Sequence, residues 1–195
     1  MSRLTKSGTL EEIIFARLEP GEDLLLALFD ICVEHEIKTG VILEGSGALS
    51  QFVYQHFPAN PEMSVLPIEV ATMQGPCEAS IKGTIGTYTV ENGFQQYSPV
   101  NLPTIKGVTE TEQAKWHLAG SQNGHGTPYI HAHCTATNAT YTACGHLMPG
   151  SYIEVVGHGS NEVPSHFSLV IGKVSGVVLE NRIDEIGNYH HLYNS

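Results

Sequence analysis

The residues best suited to chemistry in this chain are three histidines, His131, His133 and His146, within YIHAHCTATNATYTACGHLMPG from Tyr129 to Gly150. Two runs rich in β-branched and aromatic residues, Tyr129 to Ala136 and Tyr141 to Met148, flank the polar segment Thr137 to Thr140, the pattern of a β-hairpin. A two-residue loop at Asn138-Ala139, or a four-residue loop from Thr137 to Thr140, sets residue 131 opposite 146 and 133 opposite 144. Side chains alternate faces along a strand and opposed Cα atoms lie roughly 4.5–5.5 Å apart, so either loop puts the three imidazoles on one face. Three neutral imidazoles at about 2.0–2.1 Å from one ion, with a fourth position left over, make the ligand set of a catalytic zinc site. The competing reading is a partly solvated polar strand face, in a chain that holds 11 His.

An open metal site needs a group that moves protons, and Glu44, Glu78, Glu154 and Cys144 are the candidates, with Glu44 and Glu78 preferred as catalytic carboxylates. Cys144 falls opposite His133 in the expected register. There it is either a fourth ligand, which would close the site, or a nearby thiol acting as acid or base. Gly145 and the stretch 95–113 would give a small substrate room to reach the metal. His117 and His125 lie in the connection before the hairpin and are read as solvated.

These side chains must be positioned by the elements around them. Glu11 to Leu18 reads as a short strand, and Pro20-Gly21 turns into the strongest helical pattern, in which Leu24, Leu25, Leu28, Phe29, Cys32 and Val33 recur at helical spacing. Glu22 and Asp23 are expected in its first turn, where the helix dipole favours carboxylates. Thr39 to Leu43 reads as a buried strand entering Gly45-Ser46-Gly47, where the backbone can bend or approach a neighbour closely. That glycine pair is no phosphate loop, because no G-K-[ST] follows and Leu49 to Phe57 reads as a strand. Strands follow at Ile68 to Met73, Cys77 to Val90, Ser151 to Val156 and His166 to Val174. His190 and His191 are adjacent, so in an extended segment they point to opposite sides and cannot ligate as a pair.

The H-A-H of 131–133, the G-H-L of 145–147, RLEPGEDLLLAL (Arg17 to Leu28) and GVILEGSGAL (Gly40 to Leu49) together resemble the plants-and-prokaryotes-conserved domain, PPC or DUF296. The likeness covers discontinuous pieces between about residues 10 and 158. A further family segment, E-x-x-x-L-x-G, has two partial matches, GPCEASIKGTI from Gly75, which keeps Glu78, and AKWHLAG from Ala114. The resemblance implies an α+β fold, a mainly antiparallel sheet packed by one principal N-terminal helix. It further implies a homotrimer and a metal held by His131, His133 and His146. On this reading residues 1–195 form one domain with a core of about 10–158, an insertion of about 95–113, and an extra C-terminal strand and tail at 166–195.

Composition limits the function classes. Nine Lys plus Arg against 20 Asp plus Glu give a net charge of −11, which opposes approach to a polyanion. No AT-hook of the R-G-R-P type is present, so DNA is not an expected partner. Cys32, Cys77, Cys134 and Cys144 form no C-x-x-C pair and no disulfide framework. No window approaches the roughly 20 apolar residues that span a bilayer, and the N-terminus lacks an apolar signal region, so a cytoplasmic protein is expected. The leading expectation is a zinc-dependent lyase or hydrolase acting on a small oxygenated substrate, with iron, nickel or manganese also compatible with imidazole. The alternatives are a DNA-associated regulatory module and a trimer in which zinc is only a structural brace.

Overall fold

The computed structural model describes residues 3–57, 69–90, 126–156, 163–164, 166–184 and 187–195. In chain order the elements are β1 (Thr9–Leu18), α1 (Leu24–Glu34), β2 (Gly40–His56), β3 (Glu69–Val90), β4 (Pro128–Thr137), β5 (Thr142–Leu147), β6 (Tyr152–Ile153), β7 (Val155–Val156), β8 (Val163–Pro164), β9 (Phe167–Ser175), β10 (Val178–Asp184) and β11 (Gly187–Tyr193). The main sheet runs β1-β9-β2-β5-β4-β3-β10-β11, with β6 on β2. Because β2 also pairs with β3, the strands β2, β3, β4 and β5 close on one another in a ring. The β3–β10 pair is parallel and makes the sheet mixed.

The expected α+β class is corrected by this architecture. Among the described residues strands hold 66% and helix 9%, so this part of the chain is mostly β, one large mixed sheet with a single helix. The expected helix does form, but it spans only Leu24–Glu34. Elsewhere β-branched and aromatic residues favour strands, which tertiary pairing extends past the apparent breaks. At Gly45, where a bend or a close approach was expected, β2 continues and the close approach holds: an added Cβ would sit 2.4 Å from Ile81 Cγ2, so glycine lets neighbouring strands come close.

The core lies between α1 and the inner faces of the sheet. Leu24, Leu25, Ala27, Leu28 and Cys32 of the helix are buried in one cluster with Ala132, Cys134 and Ala136 of β4 and with Ile81 and Ile85 of β3. Small side chains along β4 let the helix approach that strand. Residues 166–195, read as lying beyond the core, enter the main sheet at two places. β9 lies between β1 and β2, and the β10–β11 hairpin extends the sheet beyond β3. The stretch 95–113, His117, His125 and the AKWHLAG match lie outside the described residues. No helix among those described is long and apolar enough to cross a membrane.

Candidate metal centre

The hairpin expected from sequence is present, with its loop moved by one residue. Asn138 Oδ1 accepts from the backbone N–H groups of Thr140 (2.8 Å) and Tyr141 (3.1 Å), and its own N–H donates to Tyr141 O (3.2 Å). This side-chain turn makes Asn138 to Tyr141 the four-residue loop, with Thr137 and Thr142 paired through their hydroxyls at 2.9 Å. The register therefore pairs His133 with His146 and Thr135 with Cys144, two residues away from the expected pairing of 131 with 146. A slip of two leaves every side chain on its original face.

On the inner face Ile130, Ala132, Cys134 and Ala136 are buried, which commits the alternate residues His131, His133 and Thr135 to the outer one. There the ligating atoms of His131, His133 and His146 lie within 4.8 Å of one another, the one such group of His, Cys, Asp or Glu among the described residues. The Nε2 atoms of His131 and His133 are 3.2 Å apart. Two nitrogens on a tetrahedral zinc at about 2.0–2.1 Å stand roughly 3.3 Å apart, so this pair already has the spacing of co-ligands. The 4.8 Å spread is wider than that roughly 3.3 Å co-ligand spacing, a gap that rotation about the broad imidazole χ2 can close. The donor set fits a divalent metal.

Burial keeps His146 and His131 in the ligating form. Burial first, and then His131, His133 and His190, push the His146 pKa down to about 4. The His131 pKa is also lowered, chiefly by burial and then by His190 and His133. Both imidazoles are neutral at pH 7, the form that coordinates metals. Tyr129 Oη lies 3.0 Å from His131 Nδ1 and 3.0 Å from His190 Nε2. Burial pushes the Tyr129 phenol up to about 12, so its hydroxyl stays protonated.

The expected proton carriers are not brought here. Glu78 is exposed opposite Thr137, four residues along β3 from Lys82, the partner of His133. At about 3.3 Å per residue that is roughly 13 Å of strand. Glu44 is exposed opposite Val170, 11 residues along β2 from Gln55, the partner of His146, or roughly 36 Å of strand. Glu154 lies at the β6–β7 junction, its N–H donating to Ala48 O. Cys144 is exposed on the histidine face but outside the ligand group. Gly145 gives no access to substrate: it is buried on the other face, where a Cβ would meet Gln55 O at 2.6 Å, and it lets β5 lie against β2.

Sequence reasoning missed Tyr129, His190 and Lys82. Tyr129 and Lys82 were legible as same-face positions, since Tyr129 is two residues before His131 and Lys82 alternates outward on β3. His190 carried no local signal, because it arrives from β11 through pairing with Asn181 of β10 and so with Tyr88 of β3.

No curated protein matches the chain. Among solved structures, a metal-containing protein from Archaeoglobus fulgidus has a TM-score of 0.61 at 14% identity, covering 98% of this chain and 100% of that one. A PPC protein from Pyrococcus horikoshii has a TM-score of 0.60 at 18% identity, covering 95% and 94%. A candidate DNA-binding protein from Ralstonia eutropha has a TM-score of 0.55 at 16% identity, covering 93% and 90%. At these identities the likeness concerns the fold. The profile of the Plants and Prokaryotes Conserved (PCC) domain matches residues 5–102, which end before the histidine hairpin. With half of the sequence matching that profile and the whole fold shared with a PPC protein, the chain belongs to the Plants and Prokaryotes Conserved domain family.

Proposed function

We propose that the chain binds a divalent metal, zinc before iron, nickel or manganese, through His131, His133 and His146, and uses it as a metal-dependent lyase or hydrolase. The observation that carries this reading is the convergence of three imidazoles on an outward strand face, with ligating atoms within 4.8 Å. The Archaeoglobus neighbour, a metal-containing protein of the same fold, supports it. A bound metal would supply Lewis acidity toward a carbonyl or carboxylate oxygen. The exposure of His133 to solvent supports an open position on the metal. Lys82, also exposed and paired with His133, presents a cation on the same face and would orient an anionic oxygen of a small substrate. Lys82 takes the place of Glu44 and Glu78 as the charged residue beside the site. A homotrimer, implied by the family resemblance, belongs to the same proposal.

Metal content of the purified protein is the test. The wild-type chain is expected to hold close to one metal per protomer, as three imidazoles suffice for one ion. His131→Ala is expected to lose most of it, because removing one of three ligands forfeits a large share of the binding energy. Cys144→Ser is expected to keep it. Loss in Cys144→Ser as well would make Cys144 a ligand, close the site, and leave the metal as a structural brace.

A further inference from the structure

We propose that Tyr129 and His190 act as a clamp that holds His131 in the tautomer with a bare Nε2, so that this nitrogen faces the shared ligand point. The inference rests on the metal-binding reading of the three histidines and specifies how the chain orients one of them. A neutral imidazole has one N–H and one lone pair, and the hydrogen bond made by one nitrogen decides which role the other takes. His131 Nδ1 is engaged by Tyr129 Oη at 3.0 Å, and the same hydroxyl reaches His190 Nε2 at 3.0 Å. A phenol has one proton to give. If it donates to His190 Nε2, its oxygen accepts from His131 Nδ1–H, and His131 Nε2 is left as a lone pair.

The remaining geometry agrees with that order. His131 Nε2 lies 3.2 Å from His133 Nε2, and a lone pair on the first can accept a hydrogen bond from the N–H of the second. His133 is exposed and can exchange its tautomer with water when a metal arrives, whereas His131 is held. The clamp is packed as well as bonded. Tyr88 meets the Tyr129 ring edge-on at 4.9 Å, and the His190 ring stands at 89° to His131 with centroids 4.7 Å apart. Partners that orient a metal-ligating histidine in this way are worth about 10–100-fold in metal affinity. Through His190 the C-terminal hairpin becomes part of the site. Its neighbour His191 is not used: its ring lies 5.9 Å from Tyr193.

The test uses the full chain and three variants, Tyr129→Phe, His190→Phe and His190→Gln, each checked for wild-type circular dichroism. Imidazole nitrogen chemical shifts of His131 in the metal-free protein report the tautomer directly, and cobalt titration followed by absorbance reports affinity. In wild type, His131 is expected to carry its proton on Nδ1. Tyr129→Phe keeps the ring packing, mixes the tautomers and weakens cobalt about 10–100-fold. His190→Phe shifts both readouts in the same direction, and His190→Gln, which keeps an acceptor for the phenol, restores them. Unchanged nitrogen shifts in Tyr129→Phe, or cobalt affinity equal to that of a cobalt-binding wild type, overturns the clamp. If wild type takes up no cobalt but the shifts respond as described, the clamp stands and the metal-binding reading falls.

Discussion

An imidazole ligates only as the free base, and at this site burial secures that form before any ion arrives. The cost appears in the metal-free protein at acid pH. Unfolded His146 takes up its proton near 6.5, whereas the folded chain resists until about 4. Between those values the unfolded state binds more protons, so stability falls as pH drops through this window and is fully present above it. A shift of this size corresponds to about 3 kcal/mol at roughly 1.4 kcal/mol per pKa unit. Urea melts of metal-free protein between about pH 7 and 4.5 should show the decline, and His146→Gln should flatten it. An equal slope in the variant would place the acid sensitivity elsewhere.

Among the elements, the single helix is held at its start by one side chain. Asp23, expected in the first turn, is instead the N-cap: its Oδ1 accepts from Leu25 N–H at 3.0 Å and Leu26 N–H at 3.2 Å. Its other oxygen accepts from Gly150 N–H, and Leu24 N–H donates to Ser151 O at 2.8 Å. One carboxylate thus joins the helix to the segment that follows the histidine hairpin. Burial, the largest influence, raises its pKa against three backbone donors, so the cap is a desolvated group that depends on those bonds. Asp23→Ala is expected to lower stability by about 1–2 kcal/mol, read as a shift in urea midpoint at unchanged m. Asp23→Asn, which keeps an acceptor, should recover much of it. A loss confined to a few tenths of a kcal/mol would show that packing of α1 alone holds the helix.

At the scale of the whole molecule, charge and sheet edges govern what the chain can meet. A net charge of −11 leaves few cations to displace counterions from phosphate, so submicromolar binding to duplex DNA at physiological salt is not expected. Such binding in a filter or anisotropy assay would show that the cations are gathered on one face. β1 stands at one end of the sheet with Ile13 49% and Phe15 78% exposed, an apolar edge that association would cover. Sedimentation at micromolar concentration is expected to give the trimer, and a clean monomer would remove it from the proposal.

What the sequence determined by itself was membership of a face. Strand alternation has a period of two, so His131, His133 and His146 stay together although the Asn138 turn moves the register by two residues. The helix was legible for a similar reason, since its apolar spacing repeats within the segment itself. Which strands lie side by side was decided only in three dimensions. Pairing brings β9 between β1 and β2, carries β2 through its glycines, and makes the chain mostly β rather than α+β. Glu44 and Glu78 looked suitable as residue types, yet their strand positions lie far along from the partners of the histidines. His190 and His191 could be excluded as a ligand pair from their adjacency, but only the pairing of β10 and β11 delivers His190 to Tyr129. The physical difference is one of range: face and helical spacing are set by the backbone of a few successive residues, whereas strand order depends on burying apolar surface contributed by distant parts of the chain.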